Sequence, residues 1–212
     1  MVTLEELTIA DAPEAWRECG FEVEGEECVV GEVRIRFAPR EGERGIVGWS
    51  LRGLESTDLD GLPTSSSNGL APLEEPGHPN GVIDLDHVVA ISSDLDRTVA
   101  ALVAAGLDLR RIREEPTPAG APRQAFFRLG APILEVVQEP AEATAKSGGD
   151  RPAFFWGLAF VAQDLDRTVA FLGERAGEAR PAVQPGRQIA TLPRDAGLSV
   201  PVALMTPQIR QP

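Results

Sequence analysis

The heptapeptide Asp94-Leu95-Asp96-Arg97-Thr98-Val99-Ala100 recurs unchanged as Asp164-Leu165-Asp166-Arg167-Thr168-Val169-Ala170, 70 residues further on (94 to 164). Seven identical residues do not coincide by chance in a chain of 212, so the sequence contains a duplicated unit. Duplication restricts the fold, because both copies must follow one order of elements. It also bears on function. A duplicated chain usually builds its site between its copies, and comparing them shows which positions one half has lost.

The flanks of the first heptapeptide are the clearer. Val82 to Ile91 is rich in β-branched residues and reads as a strand. Asp94 suits a helix N-cap, since its carboxylate can accept the exposed amides of the first turn. Leu95, Val99, Leu102 and Val103 then share one helical face, and Gly106 stops the helix. Strands are expected over 107–113, 123–129 and 133–138, separated by Pro116, Pro118, Gly120 and Pro122 and by Gly130-Ala131-Pro132. The order is β-α-β-β-β. The second copy repeats it, with a strand over 154–162, a helix over 164–172, and strands near 179–183, 188–192 and 200–205.

The expected organisation is therefore a βαβββ unit over 81–139, a linker over 140–152 and a second βαβββ unit over 153–207. Residues 1–54 read as a degenerate third unit. Asp11-Ala12-Pro13 opens a short helix with Asp11 as cap, and strands follow near 28–37 and 46–51. Residues 55–80, with Ser65-Ser66-Ser67-Asn68-Gly69 and Pro72, Pro76 and Pro79, read as a long loop, either a disordered linker or a functional lid.

Composition excludes several classes. No run of about 18 apolar residues offers a membrane span. The net charge of −13 repels phosphate backbones and argues against nucleic acid. No basic segment followed by an apolar stretch opens the chain, so a cytoplasmic protein is expected, with Cys19 and Cys28 reduced and buried. No GxxxxGK[ST] loop, GxSxG elbow, HExxH or paired CxxC is present, so covalent nucleophilic catalysis has no support.

Two side chains stand out. His87 lies in the first strand of the first copy. Glu135 interrupts the apolar strand Ile133-Leu134-Glu135-Val136-Val137, where an unpartnered carboxylate would cost several kcal/mol. Glu135 therefore requires a partner, a wet cavity or a cation. Gln124, Phe126 and Arg128 share one face of their strand and Arg123, Ala125, Phe127 and Leu129 the other, and alternation alone leaves open which face lines a site. Arg123 and Arg187 read either as clamps for an anionic substrate or as ion pairs. Trp156 reads either as core or as an apolar pocket wall. His78, in the loop before the first strand, reads as a turn residue or as a further donor.

The segments Leu85-Asp86-His87-Val88-Val89, Asp94 to Val99, Ala105-Gly106-Leu107 and Ile133 to Val137 resemble the vicinal oxygen chelate superfamily, which includes glyoxalase I, extradiol dioxygenases and bleomycin-resistance proteins. The resemblance covers about 82–138 well and 154–207 more weakly. It implies an α+β fold in which paired βαβββ units curl a mixed sheet into a cup. It also implies metal ligands on the first and last strands of each unit, where His87 and Glu135 fall. One divalent ion is implied there (Zn, Mn, Fe, Ni or Mg), with Glu135 also the catalytic base and Arg123, Gln124, Phe126, Trp156 and Arg187 around a small-molecule substrate. The second copy departs from the pattern: Gly157 occupies the place of His87, and Val202 to Met205 offers no carboxylate. Two functions follow from the resemblance. One is a metal-dependent lyase, isomerase or dioxygenase. The other is a metal-free protein that sequesters a small organic molecule. A homodimer, with the N-terminal unit paired in another chain, is the third expectation.

Overall fold

Both repeats begin helices for the reason their sequence suggests. The Asp94 carboxylate accepts the Arg97 amide at 3.0 Å, and Asp164 accepts the Arg167 amide at 3.1 Å. Losing either cap, as Asp94→Ala or Asp164→Ala, is expected to cost about 1 kcal/mol in denaturant unfolding. A value near zero would show that the cap bond adds nothing beyond solvation. The repeated threonine also does the same work twice. The Thr98 hydroxyl bonds Asp60, and that of Thr168 donates to the Asn80 carbonyl at 2.7 Å, so each copy ties down an earlier segment of chain.

The computed structural model describes residues 1–39, 42–69, 77–116 and 120–208. In chain order the elements are β1 (Thr3–Ile9), α1 (Pro13–Glu18), β2 (Glu27–Val30), β3 (Val33–Phe37), β4 (Ile46–Arg52), β5 (Thr64–Ser67), β6 (Val82–Ser92), α2 (Leu95–Ala104), β7 (Asp108–Arg113), β8 (Gln124–Arg128) and β9 (Ile133–Gln138). There follow α3 (Ala141–Lys146), β10 (Phe154–Ala162), α4 (Leu165–Leu172), β11 (Arg180–Pro181), β12 (Gln188–Thr191) and β13 (Val202–Met205). The fold is α+β, and the βαβββ order appears twice as expected.

The chain forms two compact units. The first combines Met1–Glu6, Gly48–Leu70 and His87–Trp156. Its main strands run in the order β6-β9-β8-β7, with β6 and β9 parallel and the other pairs antiparallel. The first strand of the module thus lies against its last. Helix α2 packs on one face of this sheet, over Val88, Ala90, Ala125, Phe127, Leu134 and Val136, none of which exposes any surface.

The second unit combines Leu7–Val47, Ala71–Asp86 and Gly157–Pro212. Its strands run β10-β13-β12-β11, and β10 and β13 are again parallel. Trp16 anchors its core, with ring centroids 4.9 Å from Phe21, 5.3 Å from Phe37 and 6.0 Å from Phe160.

The N-terminal stretch is a reduced version of the repeat. β1, α1, β2 and β3 make a β-α-β-β order with strands arranged β2-β3-β1. The Ala38 amide donates to the Ile9 carbonyl at 2.8 Å where β1 and β3 both end, so these first and last strands also run parallel. This degenerate unit includes β1, a strand not expected from the sequence. Its cap also differs from expectation. Ala12 occupies the N-cap of α1 without a side-chain bond. Asp11 instead accepts the Trp16 indole N–H at 3.0 Å and the Ser199 amide at 3.1 Å.

The expected loop over 55–80 contains a strand. β5 pairs in parallel with β4, from Trp49 opposite Thr64 to Arg52 opposite Ser67, and Leu59 and Leu62 are buried. Its sequence, Thr-Ser-Ser-Ser, has no apolar alternation to announce a strand. Polar contacts hold it instead: the Trp49 indole donates to Thr64 Oγ1 at 2.7 Å, and Ser65 donates to the Trp49 carbonyl at 3.2 Å. Residues 70–76 of that expected loop lie outside the described residues. The 140–152 linker carries the short helix α3, which buries no residue. Cys19 and Cys28 are free and buried, and burial pushes the Cys28 thiol up to about 12.

Candidate functional site

The open face of the first module is decided by what α2 covers. Val88, Ala125, Phe127, Leu134 and Val136 point to the helix, so alternation puts His87, Val89, Gln124, Phe126, Arg128, Ile133, Glu135 and Val137 on the other side. Strand register arranges these in rows. One row across the four strands reads Arg111, Phe126, Glu135, Val89. The next reads Arg113, Gln124, Val137, Ile91.

Three polar side chains meet here. His87 Nε2 lies 3.4 Å from Glu135 Oε2, and each side chain is 16% exposed. Gln124 Nε2 donates to Glu135 Oε1 in a short hydrogen bond. Both carboxylate oxygens of Glu135 are thus engaged, which accounts for a carboxylate in an apolar strand. Gln124 is only 8% exposed, and its buried Oε1 has no hydrogen-bond partner among the described residues. Gln124 was expected as a substrate contact; its direct bond to Glu135 is a tertiary fact, since the residues are 11 apart and meet only through the antiparallel pairing of β8 with β9.

The other expected site residues are placed elsewhere. Arg123 precedes β8 and faces acidic partners: Nε and Nη2 bond Glu114 at 2.7 and 3.0 Å, and Nη1 bonds both Asp96 oxygens at 3.0 Å. These bonds to the charged form raise its pKa further above the ordinary guanidinium value. Arg187 is 4% exposed, and donates to Asp86 at 2.7 Å, Gln184 at 2.6 Å and the Thr206 carbonyl at 2.8 Å. Trp156 is 51% exposed, and its place in β10 alternates away from that of Gly157. Its neighbour Phe155 packs edge-on against Trp49 at 4.9 Å. His78 is buried, accepts the Glu22 amide on Nδ1 at 3.0 Å and meets the Phe21 ring edge-on at 5.6 Å. It is a core residue of the second unit.

The second module has none of the three polar residues at its equivalent positions. Its register pairs Ala159 with Ala203 as the first pairs Val89 with Glu135, so Ala203 stands at the carboxylate position. Ile189, opposite Met205, stands where Gln124 does, and Gly157 where His87 does. Gly157 has no room for a side chain. A Cβ there would come within 2.8 Å of the Pro201 carbonyl oxygen and 3.3 Å of its Cβ.

The metal implied by the resemblance can be tested against these residues. The separation of His87 Nε2 and Glu135 Oε2 is close to the edge of a tetrahedron with bonds of about 2.1 Å. Two corners therefore fit. Catalytic divalent sites ordinarily take three protein ligands, and among the described residues no three His, Cys, Asp or Glu side chains gather around one point. The donor set does not fit a conventional catalytic metal centre.

No protein-family model matches the chain, and neither does any curated protein. Solved structures do. A xylose isomerase-like TIM barrel/4-hydroxyphenylpyruvate dioxygenase fusion protein superposes with a TM-score of 0.62 at 11% identity, over 99% of this chain and 49% of that one. The chain spans about half the length of that protein. Methylmalonyl-CoA epimerase from Mycobacterium tuberculosis matches with a TM-score of 0.49 at 23% identity, over 61% of this chain and 91% of that one. With repeated βαβββ modules whose first and last strands pair in parallel, the chain has the fold of the vicinal oxygen chelate superfamily.

Proposed function

We propose that the chain binds a small organic molecule on the open face of the first module, without requiring a metal ion. His87, Gln124 and Glu135 supply the polar contacts, and Phe126 supplies the apolar one. One observation carries the reading. The three polar groups converge on a single partly exposed sheet face, while Gly157, Ile189 and Ala203 replace them in the second module. A few convergent polar groups on an otherwise apolar surface are the usual makings of a ligand site. If the bound molecule is transformed, Glu135 is the side chain placed to accept a proton, with His87 and Gln124 stabilising its charge.

A thermal-shift screen of chelator-treated protein tests this. A compound at a hundredfold its Kd adds about 2.7 kcal/mol of stability, which shows as a clear rise in Tm. His87→Ala and Glu135→Gln are each expected to weaken binding about tenfold or more. The proposal fails if no compound stabilises the metal-free protein.

The second reading is a divalent ion held by His87 and Glu135 with water completing its shell, favoured by their 3.4 Å approach. Metal analysis of protein purified without chelator separates the two. Stoichiometric metal that disappears in His87→Ala would establish the second reading and overturn the first.

A further inference from the structure

The charge on the open face runs against the charge of the chain. The protein carries 33 Asp and Glu against 20 Lys and Arg. Yet the β7 edge of this face presents Arg111 and Arg113, two residues apart and therefore on the same side, directly opposite Phe126 and Gln124. The Arg111 side chain is exposed and makes no ion pair or side-chain hydrogen bond among the described residues. Arg113 is partly buried, and its Nε approaches only the exposed Glu115, at 3.6 Å.

The rows across the sheet give dimensions. Adjacent strands lie about 4.8 Å apart, so Arg111, Phe126 and Glu135 mark three stations spanning roughly 10 Å. The first is cationic, the second a flat apolar ring, the third a hydrogen-bond acceptor. Beside them, in the next row, the buried Gln124 Oε1 is a second acceptor that nothing within the described residues satisfies. Leaving such an acceptor unpaired costs free energy that a ligand donor would recover.

We infer that the ligand is a small organic acid. Its carboxylate pairs with Arg111 and Arg113, its flat apolar body lies on Phe126, and a hydrogen-bond donor at its far end meets Glu135 and Gln124. Guanidinium matches a carboxylate geometrically, and two of them on one strand edge select the anion over its neutral isostere. This inference rests on the binding function proposed above and specifies its ligand class. Arg128, on the same face, is not part of the clamp: it lies opposite Asp108 and donates to the Gly130 carbonyl at 3.4 Å.

The test uses matched probes on the full chain by titration calorimetry: 6-hydroxy-2-naphthoate against 6-hydroxy-2-naphthamide, and 4-hydroxyphenylacetate against 4-hydroxyphenylacetamide. Each acid is expected to bind at least tenfold more tightly than its amide, with affinity falling as salt rises. Arg111→Gln with Arg113→Gln is expected to abolish that preference, weakening the acids at least tenfold more than the amides. Arg111→Gln alone, at an exposed position, is expected to remove part of it. Equal binding of acids and amides, or a preference that survives both substitutions, overturns the inference but leaves the binding function standing. If neither these probes nor any compound of the broader screen binds, both fall.

Discussion

Arg187→Ala is expected to destabilise the protein by about 3–5 kcal/mol. Arg187 and Asp86 form an ion pair whose side chains are 3% and 5% exposed, with Nη2 and Oδ1 2.7 Å apart. The guanidinium is satisfied on every side, by Asp86, by Gln184 and by the carbonyl of Thr206 just past the end of β13. Removing it takes from the buried Asp86 carboxylate the guanidinium that offsets its desolvation. Asp86→Ala strands the guanidinium in the same way and should cost a similar amount. Replacing both together, as Asp86→Leu with Arg187→Met, should recover much of the loss, because two apolar residues leave no buried charge. Denaturant unfolding of the three variants measures this, and for a chain of this size the single variants should melt several degrees lower. Losses below about 1 kcal/mol would mean that water reaches the pair. The result also separates two roles for Arg187, since a substrate clamp would change ligand affinity with little effect on stability.

Gly157→His is expected to destabilise the protein by about 1–3 kcal/mol and to gain no metal. The substitution returns a donor to the place where the first module has His87. It fails on geometry. The new Cβ would meet the Pro201 carbonyl at 2.8 Å, and that carbonyl accepts the Leu158 amide at 3.0 Å. Moving it aside would break a bond in the β10–β13 ladder. Gly157→Ala isolates the backbone clash from the imidazole and should show a comparable loss. Variants that melt with the parent protein would refute the steric argument. In the second module the backbone thus closes over the position equivalent to His87.

Some of the site was legible in sequence. Glu135 stood out because a carboxylate among Ile, Leu and Val needs an explanation, and His87 because its repeat partner is glycine. Neither signal showed that the two lie 3.4 Å apart or that Gln124 bonds the same carboxylate. Arg123 and Arg187 looked alike, each at the start of a strand in its own copy. One is tied to surface carboxylates and the other is sealed in a core. Their partners, Asp96 and Glu114 in one case and Asp86 in the other, lie 9 to 101 residues away. Arg111 and Arg113 gave no sequence signal, because arginine on an exposed edge strand is ordinary until its cross-strand neighbours are known. β5 was missed because Thr64 to Ser67 carries no apolar period and is held by backbone pairing and hydroxyl contacts.

By itself the sequence determined what local interactions decide. The repeat fixes the element order, the aspartates cap both helices, and period-two alternation sorts each strand into two faces. Only the tertiary structure decided which of those faces α2 covers, and hence that His87, Gln124, Phe126 and Glu135 form the open one. It also set the register that places Ala203 and Ile189 where the first module keeps Glu135 and Gln124. The physical reason is that alternation is a property of one strand, whereas burial and register are set by elements distant in sequence. A strand can state that it has two sides, but its neighbours determine which side meets water.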